Sequence, residues 1–272
     1  MSRERLPLVV EAQELQAALG RDDLLIVDLS QAQAYRQSHL PGAVHLDYAR
    51  IVSAKPPIMG LLPDPAQLSQ LFSNLGLGAD THVIAYDNEG GGKAARLLWT
   101  LDAAGHTGYS LLNGGLNAWV NSNYPTTAEI KAPGPKSFEV HMNSGAIADK
   151  NYVLTHLRDT ATIAVDCRSP AEYAGTDLRA QRGGHIPGAV NIEWSRALDP
   201  QRHMRLKTKE ELQALYREAG VTPDKQVIVY CQTHHRSAVS YVVLQSLGYR
   251  QVKGYSGSWS EWGNDPDTPI ER

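Results

Sequence analysis

A cysteine opens a short polar loop in the second half of the sequence, Cys231-Gln-Thr-His-His-Arg-Ser237. The loop follows the apolar run Val227–Tyr230 and precedes a helical pattern that extends to Leu247. In open α/β sheets, ligands bind beyond the carboxyl ends of the strands. We therefore predict that Cys231 is a catalytic nucleophile.

The residues after Cys231 favour the thiolate form of its side chain, which is the form that attacks. Backbone N–H groups and the positive end of the helix dipole converge where a helix begins. The imidazoles and the guanidinium of the loop add donors and positive charge. The same groups would hold an anionic substrate, so we assign substrate binding to the whole loop: Gln232, Thr233, His234, His235, Arg236 and Ser237.

The other cysteine, Cys167, lies in Val165-Asp-Cys-Arg168 and is expected to be a partly buried filler. Two cysteines are too few for a disulfide framework or a zinc site. The adjacent residues His234 and His235 should point in different directions, and no further Cys or His stands at ligand spacing. We therefore predict no metal and no cofactor.

The composition is that of an ordinary globular protein, with 42% hydrophobic and 20% charged residues and a net charge of −3 among 272 residues. Lys and Arg are scattered, which argues against nucleic-acid binding. No apolar run approaches the ~20 residues that span a bilayer. We expect a cytoplasmic monomer that binds neither nucleic acid nor membranes.

The chain repeats itself. Val83–Tyr86 recurs as Val227–Tyr230, 144 positions later, and Ser38-His-Leu-Pro-Gly-Ala-Val44 recurs as Gly184-His-Ile-Pro-Gly-Ala-Val190. Such ordered blocks indicate a duplication. We predict an N-terminal domain at residues 1–125, a proline-rich linker at 126–142 and a C-terminal catalytic domain at 143–272.

Each half alternates short apolar runs with helical patterns. The runs 24–28, 82–86, 163–166 and 226–230 suit strands that are buried on both faces of a parallel sheet. Helical patterns cover 65–75 and 208–219, the second opening with Thr208 and Glu211 as a capping box. The predicted fold class is α/β, with two homologous domains, each a central parallel sheet flanked by helices.

These motifs together resemble the rhodanese family of sulfurtransferases, specifically the bacterial type of tandem-domain thiosulfate:cyanide sulfurtransferase. The resemblance covers essentially the whole chain. It implies a ping-pong reaction: Cys231 takes sulfane sulfur from thiosulfate as a persulfide and passes it to cyanide or a thiol. Residues 232–237 would stabilise the persulfide. Asp87 stands at the position of Cys231 in the first half, so that domain should be inactive.

Two alternatives stay open. A sulfur-delivery module would hand the persulfide sulfur of Cys231 to a partner protein, and His234 and His235 would suit a surface for protein thiols. A Cdc25-like phosphatase is disfavoured, because those enzymes have five residues between cysteine and arginine, whereas four separate Cys231 from Arg236.

Five residues outside the loop could support the site: Asp166, Arg168, Glu172, Arg182 and Trp259. Asp166 would accept hydrogen bonds from loop N–H groups, and Trp259 would line the pocket. Arg168 would either pair with Glu172 or reach the loop 231–237. Glu172 replaces an arginine of the eukaryotic family members and would repel an anionic donor unless Arg168, Arg179 or Arg182 neutralised it.

Overall fold

The apolar runs predicted as buried strands form the centres of two parallel sheets in the computed structural model, which describes residues 6–272. The chain divides into two compact units. The first comprises the residues through Ile51, Asp64–Met142 and Asp199–Leu206, and the second comprises Val52–Pro63, Asn143–Leu198 and Lys207–Arg272. The predicted fold class is confirmed. The predicted domain bounds remain a prediction. The linker 126–142 lies in the first compact unit, and the two units exchange two short segments of the chain.

The strands alternate with helices along the chain, as the sequence predicts. The strands are β1 Val9–Val10, β2 Leu24–Asp28, β3 Val44–His45, β4 Ser53–Lys55, β5 Ile58–Leu61, β6 His82–Tyr86, β7 Tyr109–Leu112, β8 Ile147–Ala148, β9 Thr162–Asp166, β10 Val190–Asn191, β11 Leu198–Asp199, β12 Arg205–Leu206, β13 Gln226–Tyr230 and β14 Val252–Tyr255. The α-helices are α1 Ala12–Ala18, α2 Ala32–Gln37, α3 Pro65–Leu75, α4 Gly92–Ala103, α5 Gly115–Asn121, α6 Lys150–His156, α7 Pro170–Tyr173, α8 Lys209–Glu218, α9 Arg236–Ser246 and α10 Ser258–Trp262.

The two main sheets share one topology. The first has the strand order β1-β7-β6-β2-β3 and the second has the order β10-β9-β13-β14-β8. The neighbouring strands in both are parallel. The central strands β6 and β13 are almost wholly buried, which explains their continuous apolar sequences. In each sheet, the loop after this central strand leads into a buried helix.

Helix α9 follows the loop that begins at Cys231 and gives it a rigid support. Residues 237–244 of this helix are all buried, so it is a core helix rather than an amphipathic surface helix. The surface helix α8 shows the predicted capping box: the Thr208 hydroxyl accepts from the Glu211 N–H, and the Glu211 carboxylate accepts from the Thr208 N–H. Gly220, after its end, has φ +73°, the left-handed conformation in which a glycine commonly ends a helix.

Two short segments belong to the opposite unit from the one expected from their position in the sequence. The antiparallel hairpin β4–β5 lies in the second unit, although it comes from the first half of the chain. Residues 199–206 lie in the first unit, where the Leu206 N–H donates to the Asn113 side-chain oxygen at 2.8 Å. The repeat gives no signal for this exchange. Over residues 6–272, the helices are too short or too polar to cross a bilayer.

Candidate active site

Cys231 occupies the predicted place between the end of β13 and the start of α9. Its side chain is buried, with 1% of the residue exposed. The Cys231 N–H donates to the Ser258 hydroxyl at 3.3 Å, and the Cys231 carbonyl accepts from the Trp259 N–H at 2.9 Å. The start of α10 therefore fixes both the backbone N–H and the backbone carbonyl of the cysteine. Ser258 was not among the predicted site residues, although its neighbour Trp259 was, because the repeat indicates that this segment lies near the loop but not which side chain meets the cysteine.

The loop turns inward at His234. This residue has φ +54°, which is uncommon for a residue other than glycine, and its side chain is fully buried. Its ring Nδ1 lies 2.8 Å from the Ser237 hydroxyl, a contact that holds the turn. The prediction that His234 presents a surface to protein thiols is therefore wrong. His235 is half-buried at the N-cap of α9 and stays a candidate for substrate contact.

Gln232 and Thr233 connect the loop to neighbouring segments of the second unit. The Gln232 side-chain amide donates to the Arg179 carbonyl at 2.9 Å, and the Gln232 carbonyl accepts from the Ser260 N–H at 3.0 Å. Thr233 packs against Gly60 of β5, where a Cβ added to the glycine would lie 2.2 Å from the Thr233 carbonyl oxygen. Gly60 is a site residue that the sequence reasoning missed, because nothing links a glycine of the first half to this loop.

Arg236 makes a two-bond ion pair with Glu172. The two guanidinium nitrogens lie 2.6 Å and 2.8 Å from the two carboxylate oxygens. Burial alone would raise the pKa of Glu172, but the hydrogen bonds and charge of Arg236, with Ser169, outweigh it and lower this pKa to about 2. Burial opposes the charge of Arg236, yet Glu172 and Cys231 raise the pKa of its guanidinium. The expectation that Arg168, Arg179 or Arg182 would neutralise Glu172 is wrong.

Arg168 follows neither of its two predicted alternatives. Its guanidinium pairs with Asp166 at 2.5 Å, donates to the Gly184 carbonyl at 2.7 Å and lies 4.3 Å above the Trp259 ring. Asp166 accepts a backbone N–H, that of Arg168, as well as this guanidinium. Both residues are almost completely buried, so the pair is an internal support beneath the site.

Arg182 and Trp259 also stabilise the surrounding structure. The Arg182 guanidinium donates to the carbonyls of Trp262, Asp265 and Thr268, in the segment at and after the end of α10. Trp259 is buried, and its indole N–H donates to the Arg182 carbonyl at 3.2 Å. The prediction that Trp259 lines the pocket finds no support, because its ring lies in the apolar core of the second unit.

Cys167 has the features of an unreactive thiol. It is fully buried, and its Sγ lies 3.2 Å from the Ser240 hydroxyl. Burial raises the pKa of this thiol well above its ordinary value. The second cysteine is therefore a buried filler, more completely so than the sequence suggested.

The corresponding loop of the first unit shows what this backbone arrangement binds. Asp87 follows β6 as Cys231 follows β13, and its side chain is buried. Four backbone N–H groups donate to its carboxylate: those of Glu89 at 3.0 Å and Gly91 at 2.8 Å to one oxygen, and those of Lys93 at 3.0 Å and Ala94 at 3.1 Å to the other. This loop is a cradle for an anion, and the protein supplies the anion itself.

Comparison with known proteins agrees with this geometry. The model of the rhodanese-like domain matches residues 11–122 and 149–265. Thiosulfate sulfurtransferases of Azotobacter vinelandii and Pseudomonas aeruginosa are each 44% identical over 98% of this chain and 97% of their own length. A relative named sulfur carrier protein TtuD, from Thermus thermophilus, is 37% identical over 88% of this chain and 87% of its own.

Solved structures share the fold. The wild-type structure of EanB superimposes with a TM-score of 0.86 at 21% identity, covering 97% of this chain and 69% of that one. The domain matches in both halves and the 44% identity to two thiosulfate sulfurtransferases show that this chain belongs to the rhodanese family, with one rhodanese-like domain in each half.

Proposed function

We propose that this protein is a thiosulfate sulfurtransferase that carries sulfane sulfur as a persulfide on Cys231. Its relatives with that name match it over nearly their whole length. The proposed acceptor is cyanide or a thiol. The reaction needs no cofactor beyond the covalent persulfide, and we expect the protein to act as a cytoplasmic monomer.

The observation that carries the proposal is the Asp87 cradle. The loops after β6 and β13 have the same length, so the N–H groups that hold Asp87 correspond to those of Thr233, His235, Ser237 and Ala238. In an aspartate the charged oxygens lie two bonds from Cβ, and in a cysteine persulfide the outer sulfur also lies two bonds from Cβ. The Asp87 carboxylate is thus a built-in analogue of the persulfide anion.

The chemistry then proceeds in two displacements. The Cys231 thiolate attacks the outer sulfur of thiosulfate, the S–S bond of the donor breaks, and sulfite leaves with the bonding electron pair. In the second displacement, the acceptor attacks the outer sulfur of the persulfide and the Cys231 thiolate departs. Preorganised N–H groups stabilise the charge on the sulfur atoms in both steps.

A sulfur-delivery role is the second candidate, because one relative is named a sulfur carrier protein. In that role the first displacement is the same, and the acceptor is a thiol of a partner protein. The phosphatase alternative gains nothing from the Asp87 cradle, which holds a planar two-oxygen anion rather than a tetrahedral group.

Intact mass spectrometry tests the proposal directly. Incubation with thiosulfate should add one sulfur atom, and cyanide should then remove it. Cys231→Ala should abolish the gain, whereas Cys167→Ala should keep it. An unchanged mass of the wild-type protein, or an adduct that maps to Cys167, would contradict the proposal.

A further inference from the structure

We propose that Glu172 sets the donor specificity by neutralising Arg236, so that the site favours sulfane donors with a single negative charge, such as organic persulfides and thiosulfonates, over dianionic thiosulfate. This inference rests on the proposed function and deepens it. It concerns the relative kcat/KM values of the donors, and thiosulfate remains a substrate.

The Glu172 carboxylate is held in place from two sides. At the start of α7, one carboxylate oxygen accepts from the Ser169 N–H at 3.1 Å, and the Glu172 N–H donates to the Ser169 hydroxyl at 3.2 Å. On the other side it makes both hydrogen bonds to Arg236. Only 4% of its side chain is exposed. A carboxylate with these partners cannot swing aside without leaving hydrogen-bonding groups unpaired.

The negative charge of Glu172 offsets the positive charge that Arg236 would otherwise present to a substrate. Its two terminal nitrogens both point at Glu172. Two further arginines of this region are also paired, Arg168 with Asp166 and Arg179 with Asp177. The attraction for an anion therefore comes chiefly from the loop N–H groups and the N-terminus of α9. A helix N-terminus is equivalent to about half a positive charge, which balances one negative charge better than two.

Two donors that react by the same displacement but differ in charge allow the effect of donor charge to be measured apart from that of donor reactivity. In thiosulfate, the outer sulfur is attached to a sulfonate group and the leaving group is sulfite. In benzenethiosulfonate, the thiolate attacks the outer sulfur in the same way, the S–S bond breaks, and benzenesulfinate leaves with the electron pair. Both reactions yield the same Cys231 persulfide, and the donors differ by one negative charge.

The test compares kcat/KM for persulfide formation from these two donors in Glu172→Gln. Glutamine keeps the capping box, since it can occupy the same helix position, while its neutral amide leaves the Arg236 charge unbalanced. We expect kcat/KM for thiosulfate to rise roughly a hundredfold, because one unit charge at roughly 10 Å in a medium of effective dielectric about 20 changes the rate about tenfold for each of the two negative charges of this donor. The rise for benzenethiosulfonate, which carries one negative charge, should be about tenfold, so the donor ratio changes by about tenfold.

Two more variants complete the test. Glu210→Gln makes the same net-charge change at an exposed position of α8 and should leave both values unchanged. The double variant Glu172→Gln with Arg236→Gln restores a neutral pair, and its donor ratio should return to within about twofold of the wild type, a difference below about 0.4 kcal/mol. This variant also decides the matter if Glu172→Gln alone fails to fold.

An equal change for both donors, or no change in their ratio, would overturn the role of Glu172. So would a double variant that loses thiosulfate selectively, because Arg236 would then be an active anion-binding group in the wild type. If neither donor adds sulfur to the wild-type protein, the proposed function itself fails, which the mass measurement reveals separately.

Discussion

Replacing Asp87 by Asn tests whether the loop after a central strand is built for an anion. The substitution keeps the shape of the side chain and removes its charge. In the native loop, the two carboxylate oxygens accept four N–H groups. The amide oxygen of Asn can serve two of these N–H groups, whereas the amide nitrogen would face the other two donors without an acceptor.

The cost follows from these contacts. A hydrogen bond to a charged group contributes about 1.5–3 kcal/mol, so the loss of two bonds costs about 4 kcal/mol. The neutral amide is easier to bury than the carboxylate, which offsets about 1 kcal/mol. We expect local stability to fall by about 3 kcal/mol, which lowers the protection of backbone amides about a hundredfold.

Native-state hydrogen exchange of α4 is the suitable assay, because this helix begins inside the cradle and exchange reports the local free energy of opening. Asp80→Asn removes a charge from an exposed aspartate before the other end of β6 and should leave the exchange of α4 unchanged. A loss of less than about 1 kcal/mol in Asp87→Asn would refute the anion cradle, and with it the analogy to the persulfide.

The Glu172–Arg236 pair should make the second unit sensitive to acid. The pKa of Glu172 in the folded protein, about 2, lies below its ordinary value, so the pair contributes stability above pH ~4.5 that is lost as the pH falls towards 2. This contribution to the free energy of unfolding is about 3 kcal/mol. Urea unfolding between pH 7 and 3 should therefore show a shallower pH dependence in Glu172→Gln than in the wild type. Gly60→Ala should lower kcat/KM about tenfold or more, because the new Cβ would displace Thr233, a displacement that costs upward of about 1.4 kcal/mol. Gly188→Ala is its matched control, with a similar positive φ but open space around the Cβ, and it should lower stability by about 1 kcal/mol without affecting turnover; equal activities of the two variants would contradict the assigned role of Gly60.

The sequence predicted the parts of the fold that local pattern determines. The strand Leu24–Asp28 and the helix Pro65–Leu75 have the predicted bounds, because each ends where its apolar pattern ends. The correspondence of Asp87 with Cys231 was also predictable, since the two loops have equal length and follow matching strands. A duplication provides an internal alignment, and it places the loop without any knowledge of the packing.

The partners of the charged side chains could not be predicted in this way. Glu172 and Arg236 are 64 positions apart, and which arginine meets the carboxylate depends on how α7 packs beside α9. The inward turn of His234 depends on a single positive φ, for which the sequence His-His-Arg carries no signal. Composition and spacing identify which charges are present, but the tertiary fold decides which of them neutralise one another.

The hairpin β4–β5 bears on how this protein can be divided. A fragment that begins at Asn143 would contain the nucleophile, its loop and the whole sheet of the second unit, yet it would lack Gly60 against Thr233 and the hydrogen bonds between Met59 and Ser260. Truncation at the linker therefore removes the first half of the chain and, with it, the hairpin that packs against the loop 231–237. The half without a cysteine at its strand end thus supplies part of the structure of the second unit.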